Sequence, residues 1–200
     1  MAAPLYGLLL AGGRSTRMGE DKATLRYGGR TQLERAMALL APLVTRAYVS
    51  VRRDQRQDPV RARYAQIEDT LEEIGPIAGI LAAQARHPDA AWLVLACDLP
   101  FLDAGTLAHL IAARDTQGLA TAYRSSHDGL PEPLCAIYEP RSHALLERHV
   151  AQGRHCPRRF LRSIEARLVD EPDPHALDNI NTPAEYAAAS GTLKPQDPSP

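Results

Sequence analysis

The stretch that most restricts this chain is residues 5–25, LYGLLLAGGRSTRMGEDKATL. An apolar run of strand length, Leu5 to Leu10, meets Gly12 and Gly13 almost at once. Unbroken apolar character, without the alternation of a half-exposed strand, marks a strand covered on both faces, as in a parallel sheet. The loop beyond it holds Arg14, Ser15, Thr16, Arg17, Gly19 and Lys22. Glycines let a ligand approach the backbone, and free amides with cationic side chains form a cradle for an anion. Open α/β sheets bind phosphates where a loop leaves the carboxyl end of a strand. The spacing is neither G-x-x-x-x-G-K-[ST] nor G-x-G-x-x-G, so a P-loop and a dinucleotide fingerprint are both excluded. A tight strand-to-helix turn with a solvated basic rim stays open beside the phosphate cradle.

The rest of the chain alternates. Thr31 to Leu43 predicts an amphipathic helix, with Thr31 as cap, Glu34 three residues on, and Leu33, Met37 and Leu40 at helical spacing. Ala47–Val51 predicts a second strand, and Tyr64–Ile67 a weaker one that delivers Glu68 and Asp69 to its carboxyl end. Gly75-Pro76 opens a helix that ends at His87-Pro88, with proline at a position where its missing N–H costs nothing. Trp92–Cys97, WLVLAC, is the clearest buried strand, and Asp98 follows it directly. Asp103 caps a helix to about Arg114. Strands over Leu119–Tyr123 and Leu134–Tyr138, helices over Pro140–Val150 and Pro157–Ile164, a strand over Arg167–Val169 and a helix capped by Thr182 complete the pattern. Strands alternating with helices predict a three-layer α/β sandwich, Rossmann-like, with a mainly parallel sheet. One domain over residues 1–190 is expected, and the Pro/Ser/Asp-rich residues 191–200 read as a disordered tail.

Composition narrows the function classes. With 23 basic and 24 acidic residues, nothing suggests a nucleic-acid surface or a polybasic membrane patch. The first residues lack a basic region followed by a long apolar one, and no apolar run reaches membrane-spanning length, so a cytoplasmic protein is expected. The scattered Cys97, Cys135 and Cys156 fit neither a disulfide framework nor a C-x-x-C site. The histidines are dispersed without H-E-x-x-H, and zinc chemistry is not expected.

Several residues have a chemical reading beside a structural one. Asp98 either forms the turn ahead of Pro100 or holds a cation, since magnesium binds phosphates through one or two carboxylates plus water. Lys22 and Arg17 can meet phosphate as a point charge and a planar fork, or lie solvated. Cys97 packs as a small apolar residue. Arg154, Arg158, Arg159 and Arg162 form a basic cluster, with Arg158 and Arg162 on one helix face: a solvated face or an anion site. Asn179 and Asn181 flank Ile180 in a turn, where asparagine is common for local hydrogen bonding.

The string Leu10-Ala11-Gly12-Gly13, Ser15, Arg17-Met18-Gly19 and Asp21-Lys22 resembles the nucleotidyltransferase signature L-A-G-G-x-S-x-R-M-G-x-D-K. With Gly75-Pro76-Ile77-Ala78-Gly79, Cys97-Asp98-Leu99-Pro100 and Asn179-Ile180-Asn181-Thr182-Pro183 in the same order, the chain is most similar to the molybdenum cofactor guanylyltransferases, up to about Ala189. The resemblance implies a nucleotidyltransferase-type fold, transfer of GMP from GTP to molybdopterin with release of pyrophosphate, and magnesium (Mg2+) as cofactor. It implies catalytic roles for Arg17, Lys22 and Asp98, with Asp98 the metal ligand. Nucleotide contacts fall to Leu10, Ala11, Gly12, Gly13, Lys22, Asp69, Gly75, Gly79 and Asp98 in the first half of the chain. Pterin contacts fall to Arg158, Arg162, Asn179 and Asn181 in the second. Implied partners are GTP, molybdopterin, and a molybdoenzyme or cofactor-handling protein, with neither nucleic acid nor membrane. One departure concerns the base: the family places an asparagine after the second strand, where this chain has Ser50, with Arg52 two residues on. Guanine recognition is then expected from backbone groups near Gly12, Gly75 and Gly79. A cytidylyltransferase for the same pterin, a sugar-phosphate nucleotidyltransferase and a non-catalytic nucleotide-binding chaperone are the rival readings.

Overall fold

A computed structural model describes residues 2–13, 21–27 and 29–179, with only the backbone of Lys22 and Tyr27. The expected helix after Thr182 and the tail lie outside the described residues. The strands are β1 (Leu5–Leu10), β2 (Arg26–Tyr27), β3 (Arg30–Thr31), β4 (Arg46–Val51), β5 (Gln66–Glu68), β6 (Ala91–Ala96), β7 (Ala120–Arg124), β8 (Pro131–Tyr138) and β9 (Arg167–Asp170). The helices are α1 (Gln32–Leu40), α2 (Ile77–Arg86), α3 (Ala104–Ala112), α4 (His143–Ala151) and α5 (Pro157–Ser163).

Seven strands form one sheet in the order β5-β4-β1-β6-β8-β7-β9, and β2 and β3 make a separate antiparallel ribbon. Within the sheet β8 alone runs antiparallel to its neighbours, β6 and β7, so the sheet is mainly parallel as expected. All six residues of β6 are buried. Leu93 and Leu95 face the core under α1 and α3, while Trp92 and Val94 face the one under α2, α4 and α5. A strand with a helical layer on each side needs apolar side chains at every position, which is why β1 and β6 carry no alternation. The three-layer expectation therefore holds.

Local chemistry sets the ends of the helices. At α1 the Thr31 hydroxyl accepts from the Glu34 amide (3.2 Å) and the Glu34 carboxylate from the Thr31 amide (2.8 Å), a complete capping box. The Thr31 amide holds the Glu34 carboxyl below its usual value. Asp103 accepts from the Thr106 amide at the start of α3 (2.6 Å). Two helices are shorter than their apolar pattern predicts. The last turn after α1, Ala41–Leu43, and the first before α4, Pro140–Ser142, are 3-10 turns, each containing a proline that cannot donate to an α-helical ladder.

The chain leaves β1 toward β4 and β5 on one side and returns to place β6 on the other. The carboxyl ends of β1 and β6 thus flank a topological switch point, where open α/β sheets form their ligand crevices. Tight packing supports this centre. A Cβ on Gly7 of β1 would lie 2.7–2.8 Å from three side-chain carbons of buried Leu40 in α1. Gly7→Ala is therefore an overpacking substitution and should destabilise the protein by about 1–3 kcal/mol. A thermal melt checks it: a chain of this size loses roughly 2–4 °C per kcal/mol, and an unchanged midpoint would mean that Leu40 has room to move.

Candidate active site

A cavity of about 830 Å3 opens at the carboxyl ends of β1, β4 and β6. Its walls include Leu10 at the end of β1 with Ala11, Gly12 and Gly13 after it, Ser50 of β4 and Arg52 just beyond, Asp69 after β5, Gly75 and Pro76 before α2, and Cys97 and Asp98 after β6. Backbone bonds extend the parallel pairing past the strand ends. The Cys97 amide donates to the Leu10 carbonyl (3.2 Å), and the Ala11 amide to the Ser50 carbonyl (3.3 Å). Because Leu10 pairs with Ala96 on one side and Ser50 on the other, the glycine loop, Asp98 and Asp69 are delivered to one crevice.

The base of this cleft is polar and tightly held. Ser50 is 1% exposed, and its hydroxyl donates to the Asp69 carboxylate at 2.6 Å. Burial pushes the Asp69 carboxyl above its usual value, against the pull of the Ser50 hydroxyl and Arg52. Arg52 donates to the Gly12 carbonyl and forms a two-bonded pair with Asp54 (3.0 and 3.1 Å). Gly75 has φ +77°, a conformation that favours glycine.

Of the residues expected to meet nucleotide, Leu10, Ala11, Gly12, Gly13, Asp69, Gly75 and Asp98 are brought together on these walls. Gly79 is not among them. It is buried in α2, where a Cβ would lie 2.4 Å from the Ser50 Oγ and 2.8 Å from Leu10 Cδ2. Its glycine is explained by helix-on-sheet packing against Ser50 and Leu10. Arg17, the Lys22 side chain and Asn181 lie outside the described residues.

Nor are the expected pterin residues Arg158, Arg162 and Asn179 among the cleft walls. Arg158, at the start of α5, bonds Asp128 (2.7 Å) and Glu132 (3.1 and 3.2 Å). Its charge is thereby met by two carboxylates. Arg162 is exposed on the same helix. Since β8 runs antiparallel, its Glu132 lies on the same sheet edge as the carboxyl ends of the parallel strands. Nearby, Asp178 accepts from or bonds both His127 (2.8 Å) and His175 (3.0 Å), one residue before Asn179.

One residue at this site is not visible from the sequence. Arg61 is 0% exposed and sits behind the glycine loop. Its guanidinium donates twice to the Ala11 carbonyl (3.1 and 2.7 Å) and pairs with Asp21, a further residue of the cleft wall (2.7 Å). Arginine is rarely fully buried unless paired. In sequence Arg61 looks like its neighbours Arg52, Arg53, Arg56 and Arg63 in a polar segment, and no spacing distinguishes it.

Among the described residues no cluster of three or more His, Cys, Asp or Glu could hold a metal ion by itself. The cleft walls nevertheless offer hard oxygen donors in Asp21, Asp69 and Asp98, and a single buried thiol in Cys97. This set fits a divalent cation that takes one or two protein carboxylates and completes its shell with phosphate oxygens and water. It does not fit a zinc or iron centre.

Residues 7–170 match the sequence model of the MobA-like NTP transferase domain. The chain is 35% identical to a molybdenum cofactor guanylyltransferase of Pseudomonas paraeruginosa, over 90% of this chain and 91% of that protein. It is also 35% identical, over 92% of its length, to a molybdenum cofactor biosynthesis bifunctional protein of Synechocystis sp., of which it spans 53%. Among solved structures, the molybdopterin-guanine dinucleotide biosynthesis protein A of Archaeoglobus fulgidus superposes with a TM-score of 0.78, at 24% identity, over 94% of this chain and 97% of the other. That likeness shows the fold, and the sequence matches show the lineage: this chain belongs to the MobA-like NTP transferases and, among them, to the molybdenum cofactor guanylyltransferase family.

Proposed function

We propose that this chain transfers GMP from GTP to molybdopterin, releasing pyrophosphate and forming a pterin guanine dinucleotide. The observation that carries the reading is the cleft at the sheet's switch point, walled by the glycine loop and Asp98, in a chain 35% identical to a guanylyltransferase. The triphosphate lies along Gly12 and Gly13, and the base lies toward Ser50, Asp69 and Gly75. A terminal phosphate oxygen of molybdopterin attacks the α-phosphorus of GTP. The bond from the α-phosphorus to its bridging oxygen breaks, the electron pair leaves with pyrophosphate, and a new phosphoanhydride remains. No covalent enzyme intermediate is needed, so the protein's contribution is positioning and charge neutralisation.

Asp98 would hold magnesium, which when bound neutralises phosphate charge and draws electrons from the phosphorus. Lys22 and Arg17 are assigned to the phosphates, Arg162 and the Asn179–Asn181 turn to the pterin side. Arg158 is assigned to shaping that side through Asp128 and Glu132 rather than to a free anion contact. We assign the reaction to the cytoplasm, with the product passing to a molybdoenzyme or a cofactor-handling protein. No described helix is long and apolar enough to cross a membrane.

Guanine presents two neighbouring donors, N1–H and the N2 amino group, and an ionised Asp69 presents two acceptors. Cytosine offers a donor beside an acceptor and mismatches a carboxylate. GTP should bind more tightly than CTP under identical magnesium. Asp69→Asn, which sets an amide donor against guanine, should weaken GTP by about tenfold or more and favour CTP relative to wild type. Protonation removes an acceptor, so the GTP-to-CTP affinity ratio should fall with decreasing pH, beginning above the ordinary aspartate range because Asp69 is shifted up. Equal or tighter CTP binding by the wild-type protein would overturn the guanylyl assignment.

Asp98→Asn keeps shape and hydrogen bonding but removes the charge that holds the metal. Turnover, followed as pyrophosphate release, should fall about a hundredfold or more, each ~1.4 kcal/mol of lost transition-state stabilisation being tenfold. The thermal melt should be unchanged. A folded Asp98→Asn protein with near-normal turnover would move the metal site elsewhere.

A further inference from the structure

We propose that Arg61 is a positioning residue for nucleotide binding. From behind the cleft wall it fixes the Ala11–Gly12 peptide and neutralises Asp21, so the wall meets phosphate with an amide rather than with an unpaired carboxylate. The inference rests on the nucleotidyltransferase reading above and extends it to a residue outside the signature motifs.

The geometry has two parts. Ala11, Gly12 and Asp21 line the cleft, while Arg61 does not and is fully buried. The Ala11 carbonyl accepts from both Nε (3.1 Å) and Nη2 (2.7 Å) of Arg61, so it points away from the cleft. In a trans peptide the following N–H points the opposite way. The Gly12 amide is therefore aimed to the cleft side, where backbone amides bind phosphate oxygens.

The second part is electrostatic. Asp21 has a side chain 35% exposed on the wall of a cleft that must accept a triphosphate, and an unpaired carboxylate there would repel it. Nη2 of Arg61 lies 2.7 Å from one Asp21 oxygen and 2.9 Å from the other. Asp21 in turn accepts from the Ala23 amide at its side chain (3.0 Å) and from the Thr24 amide and hydroxyl at its carbonyl (2.9 and 2.8 Å). One guanidinium thus ties Ala11 to the turn that begins at Lys22. Arg61 is itself held by Asp58, whose carboxylate accepts from the Arg61 amide (3.0 Å) and lies 3.3 Å from Nη1. Lysine cannot supply the same two-bond fork to a single carbonyl while also reaching Asp21.

The test is a double-mutant cycle on binding. GTP and inorganic tripolyphosphate are titrated against wild type, Arg61→Met, Asp21→Asn and the double variant, at a temperature where each melt shows a folded protein. Arg61→Met should weaken both ligands by about tenfold or more, the scale of lost charge-assisted bonds. Adding Asp21→Asn should restore part of that loss, because the repelling charge is gone, giving a clear interaction between the two sites. A purely structural Arg61 would lower the melting temperature and leave the affinity of the folded protein within threefold of wild type, with no rescue by Asp21→Asn; that result overturns the proposal. If Arg61→Met does not fold, Arg61→Lys decides: weaker tripolyphosphate binding supports the proposal and unchanged binding overturns it. Wild-type protein that binds neither GTP nor CTP would instead overturn the underlying nucleotide reading, whatever the variants do.

Discussion

The parallel pairing of β1 with β4 on one side and β6 on the other is the constraint on which the site depends. Leu10 is the last paired residue of β1, opposite Ser50 and Ala96. One register shift in either pairing would exchange the faces of a strand that is buried on both. It would also separate the glycine loop from Asp98 or Asp69. The apolar side chains of β1 and β6 interlock with helices on each face, so the register is set by the core and the cleft inherits it. Precision at the site thus comes from packing some distance below it.

Among the carboxylates on the cleft walls, Asp21, Asp69 and Asp98 differ in their surroundings. Asp21 is met by a buried guanidinium, Asp69 by a buried hydroxyl and Asp98 by the strand end of β6. Burial pushes the Asp69 carboxyl above its usual value. A guanidinium offsets a carboxylate's repulsion of anions, whereas a hydroxyl leaves the Asp69 charge on the cleft wall. In the proposed reading the three positions take different tasks: a neutralised wall, a base-side acceptor and a cation ligand.

Much of this was legible in the sequence, for identifiable reasons. β1 and β6 announce themselves because double-sided burial forces continuous apolar runs, and α1 because Thr31 and Glu34 form a local capping box. The glycine loop and Asp98 follow from those strands by adjacency alone. What depended on contacts across the chain was not legible. The antiparallel direction of β8 leaves no mark on its own residues. Arg61 contacts Ala11 and Asp21 from 50 and 40 residues away, and no local pattern separates it from exposed arginines nearby. Arg158 reads as a cation on a helix face, yet its partners Asp128 and Glu132 come from the loop and strand before it. Gly79 was visible as part of a motif, but its steric reason lies in β1 and β4.

The Ser50–Gly79 contact shows why the base side of the cleft and the core under α2 cannot vary independently. Ser50 belongs to both: it is 1% exposed in the sheet and its hydroxyl holds Asp69 at the cleft wall. The space its Oγ occupies exists because α2 carries no side chain at Gly79, where a Cβ would come within 2.4 Å. A longer side chain at position 50, such as asparagine, must either extend into the cleft or displace α2. In the first case it would leave Asp69 to another partner. With serine, the side chain stays short and holds Asp69, through which, in the proposed reading, it acts on the base. In the proposed reading, base recognition therefore passes to an aspartate whose orientation is set by a helix packed against a sheet.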